Sequence, residues 1–203
     1  MRWKAIVENQ DIESKGTIDH FPFIKGKNVD LCALNSRHAE IYARWKNDPI
    51  VRKYSRNVIP KTLDEQKKRF ESQQEKFSEH ISFEIWHKKD KKPIGRIGLG
   101  YIDWINGWAN VYIWIGEKAY WGKNIATEAT ELLIDYAFTE LNLNKLHGGV
   151  IIDNIGSWTV AEKLGFVLEG IEEEEIYIDG KYHNYKTFRL LKEDWLEREK
   201  NKK

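Results

Sequence analysis

The sequence predicts an α/β fold: a single mixed, mostly antiparallel β-sheet with helices on both faces. Three observations carry that expectation. Strand-like and helix-like periodicities alternate from Asn28 onward. Two pairs of strand-like segments are joined by short turns, as hairpins are. An apolar run over 109–115 precedes the clearest amphipathic helix, which is the pattern of a strand buried within a sheet.

Residues 1–27 are expected to be an N-terminal extension laid on the domain. Residues 3–7 suit a short strand, and Gly16, Pro22 and Gly26 punctuate the rest. Val29, Leu31 and Ala33 then alternate with Asp30 and Cys32 as a strand. Residues 36–46 follow as a helix, with Ile41 and Trp45 on one face, stopped by Asn47-Asp48-Pro49. Thr62-Leu63-Asp64-Glu65 is a capping box that opens a second helix running to about Phe77, with a thin apolar seam of Leu63, Phe70 and Phe77. Residues 81–87 and 94–103 form a hairpin about a charged turn and Pro93, and Asn106-Gly107 leads into the strand 109–115. In the next helix Ile125, Ala129, Leu132, Leu133, Tyr136 and Ala137 share one stripe, away from Glu128, Glu131 and Asp135. A strand over 146–152, a short helix over 157–164 stopped by Gly165, and a hairpin of 166–178 with 182–191 complete the pattern. The charged tail, 196–203, is expected to fray.

Composition narrows the function. The chain has 203 residues, with 33 Lys+Arg against 32 Asp+Glu, which suits one domain with a full core. Its 41% hydrophobic and 32% charged residues argue against a long disordered chain. A formal net charge of +1 argues against a dedicated nucleic-acid binder. No apolar run is long enough for a membrane helix, and Met1-Arg2-Trp3-Lys4 lacks the apolar run of a signal peptide. A cytoplasmic protein with no membrane partner is expected. The single cysteine, Cys32, allows neither an intramolecular disulfide nor a cysteine-based zinc site, and the six histidines lack metal-binding spacing, so no metal is expected. Nine tryptophans require a core or a ligand to lie against.

Two loops could carry chemistry. Ala119-Tyr120-Trp121-Gly122-Lys123-Asn124-Ile125-Ala126-Thr127 joins the apolar strand to the strong helix. Such a loop aims backbone N–H groups and the positive end of the helix dipole at one spot, Gly122 permits close approach, and Lys123 adds a cation. It reads as a pyrophosphate cradle or as an ordinary strand–helix turn. Asp153-Asn154-Ile155-Gly156-Ser157 follows the next strand, where Asn154 or Ser157 could equally be a helix cap. If the two strands are parallel neighbours, both loops open at one edge, where open α/β sheets bind ligands. No P-loop exists, and Gly95, Gly98 and Gly100 lie inside a strand in the reverse of the dinucleotide spacing, as packing glycines.

With those residues in view, the stretch 28–195 resembles the GNAT acetyltransferase superfamily, within it the ribosomal-protein alanine and spermidine acetyltransferases. The frame of the family's Gln/Arg-x-x-Gly-x-Gly/Ala loop falls on Trp121-Gly122-Lys123-Asn124-Ile125-Ala126, where the Trp121 side chain, at a place usually polar or cationic, is expected to pack the loop rather than bind phosphate, and its Asn-x-x-Ser falls on Asn154 and Ser157. Lys163-Leu164-Gly165-Phe166, the Asp179-Gly180-Lys181-Tyr182 turn and Trp45-Lys46-Asn47-Asp48 also match. Two further positions depart. Asn124 replaces the middle glycine, though asparagine tolerates positive φ. Ala161 stands where many members keep a tyrosine acid, which counts against a polyamine acceptor.

The resemblance implies transfer of acetyl from acetyl-CoA to a primary amine, a protein N-terminal α-amine or a small amine, with oligomeric state left open and a homodimer among the options. It implies that Trp114, Ile115 and Gly116 offer backbone groups to the pantetheine arm and that the N–H groups from Trp121 to Ala126 hold the pyrophosphate. Asn154 and Ser157 would border the coenzyme, and Ser157 would serve the leaving thiolate. The acidic run Glu172 to Glu175 is either a solvated face or the source of a base, Glu174 or Glu175. The acceptor wall is expected from 45–62 and 166–185. Rival readings are a polyamine or aminoglycoside acetyltransferase, or an acyl-CoA-binding module without catalysis.

Overall fold

The computed structural model describes residues 20–55, 57–71 and 78–202. The strand expected at 3–7 and the capping-box helix beyond Glu71, with Phe77, lie outside the described residues.

Among these residues eight strands form one sheet: β1 (Pro22–Lys25), β2 (Val29–Ala33), β3 (Ile81–His87), β4 (Lys92–Asp103), β5 (Trp108–Ile115), β6 (Lys145–Ile151), β7 (Val167–Ile178) and β8 (Lys181–Leu191). Their order is β1-β2-β3-β4-β5-β6-β8-β7. Every neighbouring pair is antiparallel except β5 with β6, which is parallel. A parallel pair needs a crossover, and α4 (Ile125–Thr139) supplies it.

Strand alternation sorts the apolar residues onto two faces. Leu31, Ile85, Ile97 and Leu99 pack with Ala129, Leu133, Ala137 and Phe138 of α4 in the larger cluster. On the other face lie α1 (Ala39–Asn47), α2 (Pro49–Ser55) and α3 (Leu63–Glu71), where Tyr42, Trp45, Val51 and Phe70 form a second cluster. β5 serves both: Ile113 and Ile115 pack on the first cluster and Trp114 on the second. The sheet thus carries helices on both faces. The Tyr42 hydroxyl donates to the Gly95 carbonyl at 3.0 Å and fixes α1 to β4.

Several local expectations are corrected. Pro22 to Lys25, expected to be irregular, pair with β2 as an edge strand, where a proline's missing N–H is tolerated. Asn47-Asp48-Pro49 does not simply stop α1. The Asp48 N–H closes α1 on Arg44 O at 3.0 Å, and its carboxylate accepts from Ile50 N at 2.8 Å and Val51 N at 3.2 Å, capping α2 behind Pro49. The capping box forms as expected, Thr62 N to Glu65 Oε2 at 3.0 Å and Glu65 N to Thr62 Oγ1 at 3.2 Å. Leu63, however, is exposed, and Gln66 takes a buried place beside Phe70. β5 is central yet only Ala109 is fully buried, because the sheet opens beside the strand. The tail does not fray from 196: α6 (Lys192–Asn201) continues from β8 and buries Trp195 to 1% exposure. α5 (Ile155–Lys163) ends at Gly165, with Phe166 N bonded to Ala161 O and Gly165 N to Glu162 O, both at 3.0 Å.

Glu128 joins the first turn of α4 to the start of the sheet. Its carboxylate accepts from Asn28 N and Asn28 Nδ2, both at 2.7 Å, and from Val29 N at 3.2 Å. Burial alone would raise its pKa, but the Asn28 side chain and the backbone N–H groups hold it below the usual value. A depressed carboxyl contributes stability above its unfolded pKa of about 4.3 and loses it as pH falls through the folded value. Glu128→Gln should therefore lower stability at neutral pH and flatten the acid side of the stability profile; urea unfolding at neutral pH and at about pH 3 measures both.

Candidate active site

β5 and β6 pair only where Trp108 to Asn110 meet Lys145 to His147. Beyond those residues the two strands diverge. Antiparallel ladders alternate, so one anchor assigns every backbone group. Gly116 N donates to Ile94 O at 2.9 Å, and β5 pairs with β4 in unbroken register from Gly95↔Ile115 to Gly100↔Asn110. Residues 110, 112, 114 and 116 therefore turn their N–H and C=O groups to β4, while Val111, Ile113 and Ile115 turn theirs into the gap. On β6, Ile152 N donates to Asn184 O at 3.0 Å, so Gly149 and Ile151 face the gap from the other side. Of the three residues expected to offer backbone groups, only Ile115 does so. The Trp114 and Gly116 amides are spent on β4, and Ile113, not singled out in the sequence, faces the gap. The Ile115 carbonyl is itself taken by Trp121 Nε1 at 2.9 Å.

The loop beyond β5 is fastened at several points. Ile94 O accepts from both Gly116 N and Glu117 N, at 2.9 and 3.2 Å, a bulge that bends the strand end. The Trp45 ring packs on Gly116, where a Cβ would lie 2.1 Å from Trp45 Cδ2. Trp45 Nε1 donates to Glu117 Oε1 at 3.1 Å, and Lys118 Nζ pairs with Asp48 Oδ2 at 2.8 Å. A 3-10 turn over Lys118–Tyr120 follows. The buried Tyr120 hydroxyl donates to Asp90, which also pairs with His87 Nδ1 at 2.9 Å. Burial first, then the Asp90 hydrogen bond, pushes the Tyr120 pKa up to about 12.

Gly122 at φ +71° and Asn124 at φ +58° then turn the chain into α4. Asn124 thus adopts the left-handed conformation that the family frame requires. Glu128 N to Asn124 O, at 3.1 Å, is the first intrahelical bond, which leaves the amides of Ile125, Ala126 and Thr127 without helical acceptors. Nothing lies within 4 Å of the space a Gly122 side chain would occupy, so the cradle is open there. The Trp121 N–H, expected in the cradle, donates instead to Lys118 O at 3.1 Å, while its ring staples the loop to β5 as a loop-packing side chain does. Lys123 Nζ lies 5.8 Å from the Tyr120 ring centroid.

The opposite wall is the end of β6 and the start of α5. Asn154 stands at the helix N-cap but its side chain makes no capping bond, and Ser157 N bonds to Asn154 O at 3.0 Å. Both side chains line the cleft together with residues 120–127, so the structure brings the two sequence motifs to one place. The cleft measures about 1380 Å³ and extends between Lys46, Ile50 and Tyr54 on one side and Ala161, Phe166 and Tyr185 on the other. Trp158 Nε1 donates to Ile152 O at 3.0 Å, and Lys186 Nζ lies 3.8 Å from the Trp158 ring centroid.

Glu174 and Glu175 are not part of this wall. They lie on the edge strand β7, in a bulge between Glu172↔Tyr185 and Ile176↔His183 where three residues oppose Asn184 alone. Glu174 has φ +50° and donates its N–H to Asn184 Oδ1 at 3.0 Å. Both carboxylates are exposed and neither lines the cleft. Among the described residues the carboxylate that lines it is Asp153, ion-paired with His183 Nδ1 at 2.5 Å. Its signal in the sequence was its place at the head of the Asp153-to-Ser157 motif.

A family model for the acetyltransferase (GNAT) domain matches residues 29–167. The chain is similar to the probable N-acetyltransferase YjcK of Bacillus subtilis, 38% identical over 138 residues, 66% of this chain and 75% of the relative. It is similar to the putative ribosomal N-acetyltransferase YdaF of the same organism, 39% identical over 106 residues, 52% of this chain and 57% of the relative. Among solved structures, spermidine N-acetyltransferase from Vibrio cholerae in complex with CoA and spermine superposes with a TM-score of 0.76 at 26% identity, covering 83% of this chain and 98% of that one.

The contact between Gly116 and Trp45 leaves no room for a methyl group, since three ring atoms lie 2.1 to 2.6 Å from the Cβ position. Gly116→Ala should destabilise the protein by about 1–3 kcal/mol, the usual cost of overpacking, read as a lower midpoint in chemical denaturation.

Proposed function

The chain belongs to the GNAT acetyltransferase family, and within it we propose transfer of acetyl from acetyl-CoA to a primary amine, a protein N-terminal α-amine or a small amine, by direct attack on the thioester. One observation carries the reading. The unpaired edges of β5 and β6 open directly beside a helix N-terminus whose first amides have no helical acceptor. An extended amide-bearing arm suits the strand edge, and a diphosphate suits the helix end.

In this reading the gap-facing groups of Ile113, the Ile115 N–H and the Val111 carbonyl pair with the pantetheine arm. An N–H there, from Ile113 or Ile115, polarises the thioester carbonyl and holds the oxyanion as charge develops. The amides from Gly122 to Ala126, with the dipole of α4 and Lys123, hold the pyrophosphate. Trp121 contributes as the staple of that loop. The incoming ammonium, with a pKa of about 8 for an α-amine or 10 for a side-chain amine, must lose its proton first. Asp153, which lines the cleft, receives it in this reading, directly or through water. The amine nitrogen then attacks the carbonyl carbon, the carbon–sulfur bond breaks, and the thiolate leaves and takes up the proton that the acylated nitrogen sheds. Asn154 and Ser157 border that sulfur, and the Ser157 hydroxyl donates to it.

A polyamine acceptor is a second reading, favoured by the likeness to spermidine N-acetyltransferase. Ala161, where the resemblance leads one to expect a tyrosine, weighs against it.

Release of free CoA from acetyl-CoA across a panel of peptides, small amines and polyamines tests the proposal. Turnover with at least one amine supports it. Coenzyme binding without turnover on any of them would leave a binding module in its place. Ser157→Ala should lower kcat by roughly 10²-fold, in line with the loss of a positioned proton donor, while acetyl-CoA still binds in calorimetry. Asp153→Asn should lower kcat/KM for the amine by a similar factor of about 10², and a value equal to wild type removes Asp153 from the mechanism.

A further inference from the structure

The acceptor half of the cleft lies on the sheet face that carries the even-numbered side chains of β4 and β5. Arg96 sits there, opposite Trp114 on β5 and Glu84 on β3. It lines the cleft yet is only 2% exposed. Nη2 donates to Ser82 Oγ at 2.6 Å, and Ser82 Oγ is hydrogen-bonded to the Tyr112 hydroxyl. The Tyr112 ring centroid lies 6.0 Å from the guanidinium carbon. Nε and Nη1 have no hydrogen-bond partner among the described residues.

A buried guanidinium with two unanswered nitrogens is costly, since charged donors are expensive to desolvate without a partner. Glu84 is the nearest candidate by register. Its oxygens are already bound by His38 Nδ1, at 3.1 and 2.9 Å, and by Asn35 N at 3.1 Å. Among the described residues no ion pair joins it to Arg96. The rest of the lining does not supply the missing anion. Lys46, whose Nζ lies 5.7 Å from the Trp114 ring centroid, Lys123, His80 and His147 also line the cleft. Asp153 is the one carboxylate among the described lining residues, and it is held by His183.

We propose that the acceptor amine carries an oxyanion, a carboxylate or a phosphate, that Arg96 receives on the floor of this cleft while the amino group reaches the thioester. The assignment rests on the acetyltransferase reading above and specifies its substrate class. Because Nε and Nη1 are buried, the anion reaches them as the half-buried Tyr112 ring turns aside. A guanidinium suits both oxyanions, which it can bind through two parallel N–H bonds. A polyamine instead brings further positive charges towards Arg96, where like charges repel.

Matched acceptor pairs test this. An amino acid is compared with its methyl ester, an aminoalkyl phosphate with the corresponding amino alcohol, and spermidine with both, by free-CoA release. The anionic member of at least one pair should be favoured by roughly 10- to 100-fold in kcat/KM, the worth of a hydrogen bond to a charged group. The pair that shows the preference separates carboxylate from phosphate. Arg96→Met should abolish the preference, and Arg96→Lys should retain part of it; circular dichroism and coenzyme binding confirm that each variant is folded. Should Arg96→Met not fold, the lysine variant carries the test through a reduced preference. Equal or better turnover of the neutral members, spermidine as the best acceptor, or a preference unchanged in a folded Arg96 variant overturns the proposal. If no amine is turned over, the catalytic reading fails separately, and calorimetric binding of the same pairs to the CoA-loaded protein still decides whether Arg96 selects an anion.

Discussion

The parallel pairing of β5 with β6 is the constraint on which the rest depends. It lasts for three residue pairs and then opens. Parallel neighbours cannot be joined by a hairpin, so the chain must leave β5, cross the sheet as α4 and return as β6. That crossover places a helix N-terminus at the end of β5. The divergence leaves a strand edge on each side with polar backbone groups that the protein itself does not fully use. Backbone N–H and C=O groups removed from water need partners. The open strand edges, which the proposed reading gives to an extended, amide-containing ligand, therefore follow from the topology before any side chain is considered.

Much of this was legible in the sequence, because the signals are local. Hairpin turns, the capping box at Thr62 and Glu65, the stripe of α4 and the family motifs all depend on neighbours within a few residues. The parts that were not legible depend on register. Whether Trp114 or Ile113 turns its amide to the gap is decided by which β5 residue meets Ile94, information spread over two strands. Glu174 and Glu175 depended on where β7 bulges, and the extra residues opposite Asn184 are invisible to period-two reasoning. The Asp48 junction misled for a different reason. Asn-Asp-Pro ends one helix and opens another with the same residues, and only the second role needs the fold to be seen.

The tryptophans show how one residue type is divided among tasks. Trp45 and Trp114 build the second core and hold the end of β5 in place. Trp121 and Trp158 each donate a ring N–H to a carbonyl at the end of a gap-facing strand, Ile115 on one side and Ile152 on the other. Of these two carbonyls, that of Ile115 would otherwise turn into the gap. Trp195 seals α6 against the larger core. Trp104 also packs on that cluster, and Trp86 stacks on His20 near the β1 edge.

The ties between Glu117 and Trp45 and between Lys118 and Asp48 have a kinetic meaning. They fasten the loop between β5 and α4 to the junction of α1 and α2, and that junction forms one side of the cleft. A ligand that settles the loop settles the junction with it, so part of the ordering cost for the second substrate is met when the first one binds. Such coupling favours a sequential scheme in which the coenzyme adds first and leaves last. Product inhibition by CoA that is competitive against acetyl-CoA and noncompetitive against the amine would be its signature, and the two ties between this loop and the α1–α2 junction would be its cause.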